Sequence, residues 1–151
     1  MIEAIYIAPE DGSEQVCLDA ADLVKGKGIV GDRYFGRIQA PGQSISFIEQ
    51  EEIENYNRAH AQTIPLSATR RNVITKGIRL NDLVGKEFVI GDVRFIGIEL
   101  CEPCETLGSQ LANEAIDKKD VVKAFLHKGG LRAEVLNDGQ IRIGMKFEGS
   151  E

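Results

Sequence analysis

The chain has 151 residues with 42% apolar residues, 16 Gly and no Trp, which is typical of one globular domain. No apolar run approaches the roughly 20 residues that a membrane span needs, and the N-terminus lacks the basic and apolar regions of a secretory signal. The net charge of −6 argues against nucleic-acid binding, which needs many cations against phosphates. We therefore predict a single cytoplasmic domain over residues 1–151, with neither nucleic acid nor a membrane as partner.

The first half of the chain predicts three short strands and one helix. Apolar and β-branched residues alternate or cluster in the strand segments. These segments are 4–7, 43–48 and 72–75. Residues 49–57 carry Ile53 and Tyr56 three apart among Glu, Gln and Asn, which predicts a surface helix with a narrow apolar stripe. Ser46 and Glu49 have the spacing of a capping box for this helix, unless Ser46 belongs to the strand.

The second half predicts two hairpins. Residues 87–90 and 93–96 flank Gly91-Asp92, and Gly at the first position of a two-residue loop suits a type II′ turn. Residues 133–136 and 140–143 flank Asn137-Asp138-Gly139, whose residues tolerate positive φ. Both patterns predict antiparallel strand pairs.

A further helix is predicted from the spacing of Val121 and Phe125, with Asp120 as N-cap and Gly129-Gly130 as the stop. Many short strands with two or three peripheral helices favour a mainly β fold over an alternating βαβ sheet. The predicted architecture is a mixed or antiparallel β-barrel.

Two groups of positive residues interrupt the acidic average: one is Arg70, Arg71, Lys76 and Arg79, and the other is Lys118, Lys119, Lys123, Lys128 and Arg132. The segment from Gly26 to Gly36 has four glycines around Asp32, Arg33 and Tyr34, which indicates a backbone that turns sharply or approaches something closely. Arg33 suits either an anionic ligand or a structural ion pair. Arg71 and Asn72 precede a strand, where alternation would send them to opposite faces. We expect a small anionic ligand.

The segment Cys101-Glu102-Pro103-Cys104 places two thiols, spaced C-x-x-C, directly after a predicted strand. If Glu105 begins a helix, its dipole favours a thiolate at Cys104, whereas the flanking carboxylates disfavour it. A structural zinc site would need a second closely spaced pair of ligands, which the sequence does not contain. A thioredoxin-like dithiol is expected beside a βαβ unit, which the pattern does not show. Two buried structural thiols remain the simplest alternative.

Taken together, these segments resemble the MOSC domain, named for the C-terminal domain of molybdenum-cofactor sulfurases. The resemblance covers about residues 26–147. It rests on Gly31-Asp32-Arg33-Tyr34, Arg71-Asn72-Val73-Ile74, Gly77-Ile78, Leu83-Val84-Gly85, Ile90-Gly91, Pro103-Cys104 and Gly130-Leu131-Arg132-Ala133-Glu134-Val135-Leu136, with Gly139 and Gly144.

The resemblance implies a MOSC-type β-barrel with one reactive cysteine, matched by Cys104. This cysteine would carry sulfur as a persulfide or ligate molybdenum. The molybdenum cofactor is a pterin with a dithiolene and a terminal phosphate, so binding needs a soft thiolate and cations. By motif position, Arg33, Arg71, Asn72 and Arg132 would bind it.

Three functions follow as alternatives. The protein binds molybdenum cofactor or carries sulfur and passes its cargo to a partner. Alternatively, it reduces N-hydroxylated compounds at a cysteine-ligated molybdenum centre. The third alternative is a cofactor-free dithiol or structural protein that uses Cys101 and Cys104. The expected protein partners are a sulfur donor for the first function and an electron-transfer protein for the second.

Overall fold

The computed structural model describes residues 1–103 and 105–148, which form ten strands and three α-helices. The strands are β1 (Ile2–Ile7), β2 (Val16–Leu18), β3 (Ala20–Val24), β4 (Gly28–Ile29), β5 (Ile45–Glu49), β6 (Val73–Thr75), β7 (Glu87–Ile90), β8 (Val93–Leu100), β9 (Leu131–Val135) and β10 (Gly139–Arg142). The helices are α1 (Gln50–His60), α2 (Glu105–Leu111) and α3 (Lys118–Ala124), with short 3-10 turns over Leu66–Thr69 and Leu80–Leu83. No helix in this part of the chain has the length and apolar character to cross a membrane.

The strands form two sheets. Seven strands form a curled sheet in the order β2-β1-β6-β5-β9-β8-β7, and three form a smaller sheet in the order β10-β3-β4. All pairs are antiparallel except β5 and β6, which run parallel and are joined through α1. The prediction of a mainly β, mixed-sheet fold with peripheral helices is therefore confirmed. The sequence pattern did not predict the βαβ unit formed by β5, α1 and β6, because its two strands have only five and three residues.

Two apolar clusters lie on opposite sides of the large sheet. Inside the curl, Phe47 contacts Phe88 and Phe95 edge-on at centroid distances of 5.7 Å. On the outer side, Ile48 packs under the three helices with Tyr56 and other apolar residues. Because neighbouring residues in a strand point to opposite faces, β5 contributes to both clusters. The outer face is therefore the one that carries the helices.

The first predicted hairpin is correct, and the second is wrong. β7 and β8 pair around Gly91, whose φ is +60°. In contrast, β9 pairs with β5 and β8, whereas β10 pairs with β3 in the other sheet. Asn137 accepts from Arg94 N at 2.6 Å, and Asp138 accepts from Lys25 N at 2.8 Å. The turn residues therefore bind separate strands and move the chain from one sheet to the other.

Both predicted helices form, but their ends differ from the prediction. α1 begins after Glu49 with no side-chain cap, and Ser46 belongs to β5, so there is no capping box. The N-cap of α3 is Asp117, whose carboxylate accepts from Asp120 N at 2.9 Å. Asp117 and Asp120 lie three residues apart at the start of α3, and the prediction that Asp120 is the N-cap is wrong.

Candidate functional site

An arginine-rich cleft opens on the outer face of the large sheet, next to the helices. Along β5, Phe47 points into the curl, so Ser46 shares the outer face with Ile48. The cleft has a volume of about 130 Å³. It is lined by Gln15, Asp32, Arg33, Tyr34, Gly42, Gln43, Ile45, Ser46, Arg70, Arg71, Asn72, Cys101 and Arg132. All four residues that the sequence proposed for cofactor binding, Arg33, Arg71, Asn72 and Arg132, therefore lie in one place.

Arg70 and Arg71 are half-buried, and among the described residues they donate hydrogen bonds only to backbone carbonyls. Arg70 Nη2 donates to Ser13 O at 2.8 Å, and Arg71 Nε donates to Gly129 O at 2.9 Å. Within residues 1–103 and 105–148, no carboxylate pairs with either guanidinium. A guanidinium cannot lose its charge at neutral pH. These two side chains therefore bring to the cleft positive charge that no ion pair among the described residues offsets, although the Asp32 carboxylate also lines the cleft.

The other two arginines have exposed acidic neighbours at longer distances. Arg33 Nε lies 3.5 Å from Asp11, whose side chain is 80% exposed, and Arg132 Nε lies 4.0 Å from Glu99. Exposed pairs of this kind contribute about 0–1 kcal/mol. An anion that enters the cleft can therefore displace them at low cost. Of the two alternatives for Arg33, the structure shows the ion pair and also places this residue in the cleft.

Asn72 has its side chain committed to the sheet. Its Oδ1 accepts from Ser46 N at 3.0 Å and from Ser46 Oγ at 3.2 Å, while its Nδ2 donates to Tyr6 O at 3.1 Å. These bonds join β5 and β1 just before β6 begins. Arg71 and Asn72 both line the cleft, because strand alternation begins only at Val73. Asn72 shapes the cleft wall through these contacts.

Cys101 lines the cleft together with Arg71 and Arg132. It is 2% exposed, directly follows β8, and donates its backbone N–H to Gly130 O at 2.8 Å. Burial raises the pKa of the Cys101 thiol above its ordinary value, although the positive charges of Arg71 and Arg132 oppose this shift. The thiol is therefore protonated at neutral pH. An anion that drew these arginines away from it would make its ionisation less favourable still.

Two glycines allow the cleft walls to approach each other. A Cβ on Gly129 would lie 2.2 Å from Cys101 O, and one on Gly130 would lie 1.9 Å from Phe47 O. The prediction that this pair ends the helix is wrong, since α3 already ends at Ala124. The pair instead brings the start of β9 against β5 and against the segment at Cys101.

The predicted catalytic and metal-binding residue, Cys104, lies outside the described residues. The preceding Glu102 is held by His127, whose Nδ1 lies 3.2 Å from Glu102 Oε1. The prediction that Glu105 begins a helix is correct, and Leu107 and Leu111 of that helix are buried as expected. In the described part of the chain, no three His, Cys, Asp or Glu residues come close enough to hold a metal ion.

Two polar lining residues that the sequence did not assign to the cofactor, Arg70 and Gln15, bear directly on ligand binding. The side-chain amide oxygen of Gln15, Oε1, is buried without a hydrogen-bond partner among the described residues. A buried acceptor of this kind needs a donor from water or a ligand. The run of cations that begins at Arg70 was visible in the sequence, but only the fold shows that Arg70 turns into the cleft. Gln15 gave no sequence signal.

Comparison with known proteins agrees with this architecture. The family model of the MOSC domain matches residues 33–148. The crystal structure of the YuaD protein from Bacillus subtilis is similar, with a TM-score of 0.84 and 19% identity over 97% of this chain and 92% of that one. YiiM from Escherichia coli has a TM-score of 0.71, with 16% identity over 97% of this chain and 68% of its own. YiiM from Geobacillus stearothermophilus has a TM-score of 0.72, with 16% identity over 97% and 74%. No curated protein matches the chain in sequence.

Proposed function

The chain belongs to the MOSC domain family, and we propose that it binds molybdenum cofactor or a carried sulfur atom at its arginine cleft. The family is linked to molybdenum-cofactor binding and sulfurase-like functions. In this proposal Cys104 is the reactive residue, as a persulfide carrier or as a molybdenum ligand. The observation that carries the proposal is that Arg70 and Arg71, without an ion-pair partner among the described residues, line a cleft that also contains the Cys101 thiol.

The residues of the cleft fit the chemistry of the cofactor's anionic part. A phosphate oxygen accepts hydrogen bonds, and Arg70 and Arg71 offer donors that no carboxylate in the described chain occupies. The side-chain oxygen of Gln15 has no hydrogen-bond partner among the described residues. It can accept a hydrogen bond from an N–H group, and a pterin carries such groups. Soft metals and sulfur prefer thiolate ligands, and Cys104 follows the cleft residue Cys101 by three positions in the sequence.

Each residue has a distinct role in this proposal. Arg71 and Arg132 bind the anion in the cleft that Cys101 also lines. Asn72 keeps β5 and β1 in register, so that the arginines face the same cleft. When bound, the cofactor supplies a molybdenum centre that can accept sulfur or electrons. The positive charge of the cleft repels cations and attracts anions but not neutral ligands of the same size, which gives selectivity for anions.

Cofactor content tests the proposal. The wild type, Cys104→Ser, Arg71→Met and the control Arg58→Met are purified from a host that makes molybdenum cofactor. Molybdenum, pterin and zinc are then measured per chain. Arg58 lies on the exposed side of α1, so its variant should match the wild type. We expect Cys104→Ser to lose molybdenum or sulfane sulfur, and Arg71→Met to lose pterin.

The same preparations separate the alternatives. A persulfide on Cys104, detected by mass spectrometry, supports sulfur carriage from a donor protein. Turnover of an N-hydroxylated compound with an electron donor supports the reductase. A wild type without molybdenum, pterin or persulfide, but with a readily formed disulfide between Cys101 and Cys104, would contradict the proposal and support the cofactor-free dithiol protein.

A further inference from the structure

Helix α3 and the turn after it carry exposed lysines that the arginine cleft does not use. Lys119 and Lys123 lie four residues apart and Leu126 follows three residues later, a spacing that places all three on one face of a helical turn. Backbone hydrogen bonds from Leu126 N to Lys123 O at 3.4 Å and from Lys128 N to Phe125 O at 2.9 Å continue the turn beyond the end of α3. We call Lys119, Lys123, Leu126 and Lys128 the α3 surface.

The α3 surface faces away from the body of the protein. Val121 and Phe125, on the other side of the same turns, are 0% and 1% exposed, whereas Leu126 is 50% exposed. Within residues 1–103 and 105–148, no ion pair includes any of the three lysines of this surface. Between residues 118 and 128 the sequence has one acidic residue, Asp120. The α3 surface therefore presents an apolar side chain among positive charges, and the fold uses neither.

The α3 surface lies beside the segment that contains the predicted reactive residue, Cys104. His127, in the same turn as the lysines, donates its backbone N–H to Glu102 at 3.5 Å, and its Nδ1 lies 3.2 Å from the same carboxylate. The helix also packs closely against α2, whose first residue follows Cys104, since a Cβ on Gly108 of α2 would lie 3.1 Å from a backbone oxygen of α3. A protein bound to this surface would therefore contact the surroundings of the reactive segment.

We infer that the α3 surface is the docking site for a partner protein whose contact face is acidic around an apolar centre. The lysines attract carboxylates, and Leu126 supplies an apolar contact within them, as in interfaces that have a polar rim around a buried centre. A surface this small suits a weak, transient complex, which is the kind that an exchange of cargo needs. The inference rests on the proposed function, because it names the partner class with which Cys104 exchanges its cargo.

The charge of the whole chain favours a protein over other anionic partners. The net charge of −6 opposes approach to nucleic acid or to an anionic membrane, because both carry dense negative charge over a wide area. A protein can instead place a few carboxylates opposite the lysines alone. Membrane surfaces bind helices with a continuous apolar face or clusters of about 4–8 basic residues. The α3 surface has one leucine and three lysines, which suits a local acidic patch better.

Binding of an acidic probe protein, plant-type ferredoxin, tests the inference by NMR and by titration at about 20 mM and about 300 mM salt. Lys119→Glu/Lys123→Glu reverses the charge of the surface, and Leu126→Gln removes its apolar centre. The matched control, Lys25→Glu/Lys27→Glu, makes the same charge change at the exposed turn between β3 and β4 of the smaller sheet. In the described chain, none of these five residues lines the arginine cleft, so cofactor binding should not change.

We expect ferredoxin to shift or broaden the amide signals of residues 119–128 at low salt, with weaker binding at high salt. Relative to the control, Lys119→Glu/Lys123→Glu should weaken binding roughly tenfold or more, because it replaces attraction by repulsion. Leu126→Gln should weaken it roughly threefold to tenfold, because a half-exposed leucine loses its apolar contact. The control should stay within about threefold of the wild type, since screened charges act locally.

Signals that change mainly at the cleft arginines, or equal weakening in the α3 variant and the control, would overturn the inference. Full binding by Leu126→Gln would overturn it too, because charge alone would then explain the attraction. Three further probes are phosphatidylglycerol vesicles, a single-stranded DNA oligonucleotide, and the chain itself in sedimentation. Binding of any of them that is tighter than ferredoxin and is lost in Lys119→Glu/Lys123→Glu would assign the surface to a membrane, nucleic acid or a second copy instead.

Cofactor content separates this inference from the proposed function. Molybdenum, pterin and persulfide are measured per chain in the same preparations. If their content is normal but ferredoxin does not bind at the α3 surface, the inference fails and the proposed function stands. If ferredoxin binds there but the wild type holds no cofactor or persulfide, the proposed function fails and the docking surface stands.

Discussion

Replacing Asn72 by alanine tests whether this residue supports the sheet. Asn72→Ala removes three hydrogen bonds, two from Ser46 to Oδ1 and one from Nδ2 to Tyr6 O. Each such bond contributes about 1 kcal/mol net, so the free energy of unfolding should fall by about 3 kcal/mol. For a chain of this length, that loss lowers Tm by roughly 6–12 °C.

Urea unfolding and a thermal melt measure the loss. The control is Asn55→Ala, whose side chain is exposed on α1 and bonds only its helix neighbours Glu52 and Arg58. This variant should stay within about 0.5 kcal/mol of the wild type. If Asn72→Ala loses less than about 0.5 kcal/mol, or no more than Asn55→Ala, the structural role of Asn72 is refuted.

Two further predictions follow from buried titratable groups. Burial raises the pKa of Glu49 despite contacts from Leu80 N and Arg79, so the folded state holds its proton to higher pH than the unfolded state. The free energy of unfolding should therefore fall as pH rises from the ordinary glutamate value through the raised one. Glu49→Gln should remove this slope in urea unfolding at pH 4 and 7, and parallel profiles of variant and wild type would contradict the assignment. In the Cys104→Ser background, iodoacetamide should modify exposed Cys17 roughly 100-fold faster than Cys101, which is 2% exposed with a raised pKa. Mass spectrometry measures both rates, and equal rates in the folded protein would contradict the burial of Cys101.

The contrast between the two predicted hairpins shows where sequence patterns are sufficient. The turn at Gly91 has two residues, so β7 and β8 follow each other closely enough to pair directly. The turn at Asn137 has a third residue and side chains that bind distant backbone N–H groups. Local patterns predict that strands exist there, but hydrogen bonds to residues 43 and 113 positions away decide which strands pair.

The candidate site shows the same division. The motifs around Arg33, Arg71 and Arg132 identified residues that the fold brings into one cleft. Arg70 was missed as a cleft residue, because its orientation depends on a left-handed backbone at the end of a 3-10 turn. Asn72 was assigned to the cofactor from its motif, whereas its three bonds to β5 and β1 involve residues 26 and 66 positions away.

By itself, the sequence determined the chemistry that this protein can use. It has two thiols spaced C-x-x-C, several arginines within motifs, and strands short enough for a curled, mixed sheet. These features depend on residue type and local spacing, which are visible along the chain. Only the tertiary structure decided that four arginines face one cleft and that Cys101 lines the same cleft. These arrangements depend on contacts between residues far apart in the sequence, which form only when β5, β6, β8 and β9 pair.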